Sequence, residues 1–127
     1  MPVSGGFQGA VLRIECVGEY EPGEIIDAFR RAMEDVNGPT HVALLLDVTR
    51  SESLKRRTPD EIRSVAEFLR PYAERIGGRC AVVVGTTLDY GFSRMGSAYA
   101  VGVGVESEIF RDSESALAWL AAVKPSH

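Results

Sequence analysis

The sequence predicts an α/β fold with a single-layer, mixed but mainly parallel β-sheet of four or five strands and about four helices. Strand-like and helix-like segments alternate along the chain, and nearly every junction carries glycine or proline. Two apolar segments, residues 42–46 and 80–84, contain no charged residue, which is typical of parallel strands buried on both faces. The 127 residues, 45% of them hydrophobic, suit one domain over 1–127 with its core at about 9–122.

The first part of the chain predicts a strand and a helix. Residues 9–17 alternate apolar and polar side chains from Leu12 onward, which indicates a strand with one solvated face. Residues 5–7, just before it, are a candidate partner strand. Pro22 opens a helix at its favoured first-turn position, and the Asn-Gly-Pro sequence at 37–39 is expected to end it after an apolar stripe that reaches Val36.

The middle of the chain predicts a second strand and helix. The apolar segment 42–46 ends in the carboxylate of Asp47, and a polar loop follows. The Thr-Pro-Asp-Glu sequence at 58–61 has the form of a capping box, so a helix is expected to begin there with Thr58 as its N-cap. Pro71 is expected to kink this helix or end it early.

The last part of the chain predicts two more strands and two more helices. Residues 80–84 are β-branched and free of charge, which favours a central strand. A helix is expected within 91–102 and a strand at 105–110. The final helix then begins at either Asp112 or Ser113, both of which are good N-cap residues.

Composition excludes several classes of function. The formal net charge of −4 argues against a nucleic-acid partner. No segment is long and apolar enough to span a membrane, and no secretory signal is visible, so the expected compartment is the cytoplasm. With two histidines and no clustered cysteines, no metal site or cofactor is predicted. Cys16 and Cys80 lie in strand-like segments and are expected to be buried free thiols.

Two segments carry a resemblance to a known family. They are residues 90–95 (Tyr-Gly-Phe-Ser-Arg-Met) and residues 109–120 (Ile-Phe-Arg-Asp-Ser-Glu-Ser-Ala-Leu-Ala-Trp-Leu). Together with the strands before them, they resemble the SpoIIAA-like family of small bacterial proteins with a STAS-type fold. The resemblance implies a mixed sheet with helices on one side and no catalytic activity. The chain lacks the family's phosphorylatable Asp-Ser-Ser-Gly-like motif. Thr58 stands at the equivalent helix start, where its role as N-cap is a sufficient explanation.

The carboxyl ends of the predicted parallel strands form the candidate binding edge, because ligands of parallel sheets bind there. Asp47 is expected either to accept hydrogen bonds from loop amides or to pair with Arg94 or Arg111. These residues, with neighbouring hydroxyl and aromatic groups, make a candidate site for a ligand or partner. Its members are Asp47, Thr49, Thr58, Tyr90, Arg94 and Arg111.

Catalytic arrangements are incomplete in this sequence. The segment 91–96 resembles a nucleophile elbow around Ser93, but its second glycine is one place late, and His41 and His127 are badly placed as bases. Asp47 lacks the acidic pair that a receiver domain needs. The sequence therefore predicts a non-enzymatic, STAS-like protein-interaction or regulatory module.

An alternative to the interaction module is a carrier of a small hydrophobic or anionic, lipid-like ligand. Its pocket would lie beneath a set of apolar side chains from the third helix and the last strand. Those residues are Phe92, Met95, Tyr99 and Phe110. A homodimer formed through the Gly/Ala/Met-rich helix 91–102 is also compatible with the sequence.

Overall fold

The computed structural model describes residues 3–8, 10–34, 42–51, 58–76, 79–85, 91, 94, 98–99, 101–102 and 104–121. Its regular elements, in chain order, are β1 (Val3–Gln8), β2 (Val11–Val17), α1 (Pro22–Met33), β3 (Ala43–Arg50), α2 (Pro59–Phe68), a 3-10 turn (Arg70–Tyr72), β4 (Arg79–Val83), β5 (Glu106–Phe110) and α3 (Ser113–Ala121). Residues 91, 94, 98–99 and 101–102 are also helical, as expected for the segment 91–102.

The five strands form one sheet in the order β1-β2-β3-β4-β5. β1 runs antiparallel to β2, in a register from Val3 opposite Cys16 to Gln8 opposite Val11. The remaining neighbours, from β2 to β5, pair in parallel. The prediction of a mixed, mainly parallel sheet is confirmed, and so is the partner strand expected at residues 5–7.

Local sequence signals place the starts of the first two helices. At α1, the Glu24 carboxylate accepts a hydrogen bond from the Glu21 amide at 3.0 Å. At α2, the Thr58 hydroxyl accepts from the Glu61 amide at 3.1 Å, and the Glu61 carboxylate accepts from the Thr58 amide at 2.9 Å. The reciprocal pair at α2 and the Glu24 bond at α1 satisfy amides that no helical carbonyl reaches. Thr58 is therefore the N-cap, as its sequence context predicts.

Helix ends follow the sequence less closely. α1 ends at Met33, whereas its apolar stripe runs on to Val36, which lies with the stop signal 37–39 outside the described residues. α2 ends at Phe68 and passes into the 3-10 turn that contains Pro71, so the early end expected there is confirmed.

At α3, Asp112 rather than Ser113 is the N-cap. One Asp112 carboxylate oxygen accepts from the Ser115 amide at 2.7 Å, and the other from the Ser115 hydroxyl at 3.0 Å. These hydrogen bonds, the backbone one first, lower the pKa of Asp112.

The helices cover both faces of the sheet. α1 and α2 pack on the first face, over a cluster that includes Phe29, Leu12, Ile14 and Val82. α3 packs on the second face, against Leu45, Ala81 and Val83. The one-sided arrangement implied by the family resemblance is therefore wrong for this chain. The physical reason lies in β3 and β4, whose side chains are apolar on both faces and need cover on each.

Candidate functional site

Polar side chains gather on the second face of the sheet, where β2 and β3 end and α3 begins. The centre of the group is Asp47, which is 5% exposed and is one of two buried polar or charged residues in the described part of the chain. Arg13 on β2, Thr49 on β3 and Ser113 on α3 surround it. We call these four residues the polar cluster.

Both carboxylate oxygens of Asp47 have partners within the polar cluster. Oδ1 accepts from the Thr49 amide at 2.9 Å and from the Thr49 hydroxyl at 2.6 Å. Oδ2 accepts from Nη2 of Arg13 at 2.6 Å. Asp47 was expected to accept hydrogen bonds from loop amides, but the amide that it binds belongs to β3, because this strand continues to Arg50. Its hydrogen-bonding capacity is used mainly to hold the end of β3 in one conformation.

Arg13 links three elements of the fold. Besides Asp47, its Nη2 donates to the Ser113 hydroxyl in the first turn of α3 at 3.0 Å. In the parallel register Arg13 lies opposite Leu45, and Glu15 lies opposite Asp47, so the guanidinium reaches diagonally across to the next strand. This contact ties the start of α3 to β2, which is otherwise far from that helix in sequence.

The polar cluster continues outward as a row of alternating charges. Nε of Arg13 lies 3.7 Å from the Glu15 carboxylate, and Nη1 of Arg50 lies 3.6 Å from the same group. The exposed fraction of the side chain rises from 7% at Asp47 to 24% at Arg13, 33% at Glu15 and 72% at Arg50. We call Arg13, Glu15 and Arg50 the charged row. At one end the row is anchored to the buried Asp47, and at the other it ends in the solvated cation of Arg50.

The titration of the buried groups agrees with this geometry. Burial acts to raise the pKa of Asp47, but the hydrogen bonds from Thr49 and the charge of Arg13 outweigh it and lower that pKa overall. Burial also raises the pKa of the Cys16 thiol to about 12, helped by the charges of Asp47, Glu24 and Glu15. Burial alone raises the pKa of Cys80 to about 12. Both cysteines are free and buried, as predicted, and neither is a thiolate nucleophile near neutral pH.

The structure brings together only part of the predicted site. Asp47 and Thr49 lie in the polar cluster. Arg94 and Arg111 are exposed, and neither pairs with Asp47. The ion pair expected between Asp47 and one of these arginines is therefore wrong, because Arg13 occupies that position. Arg111 instead donates to the Gly85 carbonyl at 3.4 Å.

The other predicted residues lie apart from the polar cluster or outside the described ranges. Thr58 caps α2 on the first face of the sheet. Tyr90 lies outside the described residues, as do two of the side chains expected to line a lipid pocket, Phe92 and Met95. Phe110 packs against Trp119, with 5.8 Å between the ring centroids.

Sequence reasoning missed Arg13, Glu15, Arg50 and Ser113. The signal for two of them was present, because the alternation along β2 places Arg13 and Glu15 on the same face of the strand. No group of three metal-ligating side chains occurs within the described ranges. None of the helices that are described is long and apolar enough to cross a membrane.

Comparison with known proteins supports the fold. No protein-family model matches the sequence, and no curated protein matches it. Among solved structures, the chain is similar to an uncharacterised protein of the DUF3478 family, with a SpoIIAA-like fold, from Shewanella loihica PV-4. The match has a TM-score of 0.62 and 17% sequence identity, and it covers 93% of each chain. The chain therefore has a SpoIIAA-like fold, as its sequence predicts.

Proposed function

We propose that the protein is a non-enzymatic interaction module of regulatory type that binds a partner protein through the charged row. The observation that carries the proposal is the gradient of exposure along this row, from the anchor at Asp47 to the 72% exposed Arg50. The inner end of the row, where Arg13 is held by Asp47 and Ser113, loses little side-chain entropy when a partner binds. Charges of both signs at fixed positions also favour one orientation of the partner over others.

The chemistry of the described residues supports binding rather than catalysis. The Asp47 carboxylate, which would be the natural general base here, has its pKa lowered and both oxygens occupied. The two cysteine thiols are buried with raised pKa values. A base with a lowered pKa and thiols that stay protonated are poorly suited to acid–base or nucleophilic catalysis near neutral pH.

The order of charges in the row indicates what the partner presents. Arg50 would bind a carboxylate of the partner, whereas the neighbouring Glu15 would bind a cation or a hydrogen-bond donor. A nucleic-acid backbone offers only negative charge, so Glu15 would repel it. A protein surface that carries both signs is the better match. The exposed Thr49 is placed beside Arg50 in sequence, and Arg94 and Arg111 are proposed as further contacts around the same edge.

Affinity capture with charge-reversal variants tests this proposal. Tagged wild-type protein is used to isolate partners from cells of the source organism, alongside Arg50→Glu and Arg94→Ala. Arg63→Glu is the matched control, because Arg63 is an exposed arginine on α2 that pairs with Asp60 at 2.9 Å. We expect a partner that binds the wild type and Arg63→Glu, and is lost with Arg50→Glu. Equal capture by all four proteins would refute a role for the charged row.

The carrier alternative has a direct test that needs no partner. Native mass spectrometry of the purified protein is expected to show the bare 13.8 kDa chain if the interaction module is correct. A persistent non-covalent adduct of lipid-like mass would favour the carrier instead.

A further inference from the structure

The backbone groups on the outer edge of β1 have no strand partner among the described residues, and their positions follow from the register. The Ala43 amide of β3 donates to the Ala10 carbonyl at 2.9 Å, which sets the alternation along the strand that follows. The backbone amides and carbonyls of Leu12, Ile14 and Cys16 on β2 therefore point toward β3. The residues opposite them on β1 point their backbone groups away from β2. The amides and carbonyls that face outward are therefore those of Val3, Gly5 and Phe7.

The six residues of β1 carry none of the sequence features that usually prevent strands from pairing. β1 has the sequence Val-Ser-Gly-Gly-Phe-Gln, with no charged residue and no proline. Exposed edges are normally protected by lysine, by proline or by a bulge, because an open edge pairs readily with other chains. No strand lies beyond β1 among the described elements, since β1 is the first strand of the sheet order. The edge is suited to receive another strand.

A groove runs between this edge and α1. It has a volume of about 520 Å³ and is bounded on the helix side by Ala28, Arg31 and Ala32. Gly5 itself is closely packed, since a Cβ added there would lie 3.0 Å from Cδ1 of Ile14 and 3.4 Å from the Ala28 carbonyl oxygen. The open space of the groove lies outside this contact, and its lining of glycines and alanines leaves that space free for side chains of another molecule.

Arg31 gives the groove a positive charge. Its Nε donates to the Asp27 carbonyl at 3.3 Å within α1, and its side chain is exposed. Within the described part of the chain, no carboxylate lies within ion-pair distance of Arg31, whereas the adjacent Arg30 has Asp27 at 3.7 Å. Arg31 is therefore available to an acidic group that enters the groove.

We propose that the groove binds an extended segment of a partner protein, which adds to β1 as a further strand and places an acidic side chain against Arg31. The backbone groups of Val3, Gly5 and Phe7 would supply the affinity, as in other cases of strand addition. Every second side chain of the segment would point into the groove beside Gly5. This surface shares no residue with the charged row, so an experiment can refute one of the two proposals without refuting the other.

A second copy of the chain is a poorer occupant than an acidic segment. If two β1 strands paired about a two-fold axis, each would bring only its own side chains to the other's groove. β1 has no aspartate or glutamate, so that strand offers Arg31 no carboxylate. The charge of the groove thus favours a different chain.

A matched pair of synthetic peptides tests the proposal. Both are blocked octapeptides of alternating valine and threonine, and they differ at one central position, which is aspartate in one and lysine in the other. Backbone amide hydrogen exchange is measured by NMR on the full chain with each peptide. With the aspartate peptide we expect new protection at the outward amides of Val3, Gly5 and Phe7. The amides of Ser4 and Gly6, which face β2, should change little.

Substitutions at Arg31 test the charge. Arg31→Glu is expected to weaken binding of the aspartate peptide by at least about tenfold and to strengthen binding of the lysine peptide, because a charge-assisted hydrogen bond is lost in the first case and gained in the second. Arg31→Lys should retain the preference for aspartate. Arg63→Glu, on α2, and Arg50→Glu, in the charged row, should bind as the wild type does.

Two results would overturn the proposal. The first is binding of both peptides equally, or protection of amides outside β1 and α1. The second is protection of Val3, Gly5 and Phe7 without any peptide, rising with protein concentration together with a dimer in sedimentation, which would make a second copy the occupant. The affinity-capture experiment with Arg50→Glu tests the charged row alone, so its outcome has no bearing on peptide binding at β1.

Discussion

The two edges of the sheet differ in charge although their strands are similar in length. β1, with six residues, is uncharged throughout, whereas β5, with five, contains Glu106 and Glu108. Glu106 also pairs with Nε of Arg79 at 3.0 Å, and the Arg79 guanidinium lies 4.7 Å from the centre of the Trp119 ring. Charges on an edge strand discourage another strand from pairing there. The difference indicates that β5 is a closed edge and β1 an open one.

The largest loss of stability is expected from a substitution in α1, the helix that packs over β1. Phe29 on α1 is 2% exposed, and its ring contacts those of Phe68 and Tyr72, with centroids 5.6 and 4.9 Å away. Phe29→Ala should lower the free energy of unfolding by about 3–5 kcal/mol. On the β5 side, Trp119 is only partly buried, so Trp119→Ala should cost about 2 kcal/mol. Urea unfolding followed by circular dichroism measures both, and equal losses would contradict the comparison.

Between the two edges, β3 carries a buried charge, that of Asp47. Asp47→Asn should lower the free energy of unfolding at pH 7 by about 1–3 kcal/mol, because the charge-assisted hydrogen bond with Arg13 is lost. Since folding lowers the pKa of Asp47, its charge stabilises the protein above the unfolded pKa of about 4, and that stability is lost as the pH falls through the lower folded pKa.

The pH dependence therefore distinguishes Asp47 from an exposed carboxylate. The difference between wild type and Asp47→Asn should shrink on acidification below about pH 4. Asp60→Asn is the control, because Asp60 has an 84% exposed side chain on α2 and should change stability by less than about 1 kcal/mol. A gap between wild type and Asp47→Asn that stays constant from pH 7 to pH 2 would contradict this assignment.

A pair of neighbouring glycines compares the two faces of β1. A Cβ added at Gly5 would lie 3.0 Å from Cδ1 of Ile14, whereas one added at Gly6 would meet nothing within 4 Å. Gly5→Ala should therefore cost about 1–2 kcal/mol, because the added methyl group would press on Ile14 of β2 and on the Ala28 carbonyl of α1. Gly6→Ala should change stability by no more than about 0.5 kcal/mol. Thermal unfolding of the two variants is a direct check, and an equal effect would show that Gly5 is not packed this closely against the core.

The β5 edge is expected to contribute little to stability. The double variant Glu106→Gln/Glu108→Gln removes its charges and should change the free energy of unfolding by less than about 1 kcal/mol, since the pair with Arg79 is exposed. Self-association measured by sedimentation should nevertheless increase, because the edge becomes as neutral as β1. Glu114→Gln on α3 is the control. If the double variant stays as dispersed as the wild type, charge is not what closes this edge.

Sequence patterns located the elements of this fold whose signals are local. The capping box of Thr58 and Glu61 spans three residues, and the strand at 5–7 was recognised beside the alternating segment that pairs with it. The face that α3 covers was not predicted, because the one-sided arrangement came from the family resemblance and not from a pattern in the sequence. That face depends on where the chain passes after β5, and no short motif records that.

The candidate site was predicted in part for the same reason. The hydrogen bond from the Thr49 amide to Asp47 joins residues two apart, so a bond to a nearby amide could be expected from the sequence, although not the donor itself. The partners of Arg13 lie 34 and 100 residues away, at Asp47 and Ser113. Spacing along the chain does not show whether Arg13, Arg94 or Arg111 is the partner of Asp47. The partner is determined by the register of β2 against β3, which places Arg13 beside Asp47.

The two buried thiols can be used to measure local unfolding, because a reagent reaches each of them only when the structure around it opens. Cys16 lies opposite Val3, on the strand next to β1, and Cys80 lies on β4. Because burial raises both pKa values to about 12, a thiol reagent should label either one only after the surrounding structure has opened. Labelling of Cys16 before Cys80 would mean that β1 and α1 separate from the sheet while the rest stays folded. The relative rates would thus measure how independently the open edge can move.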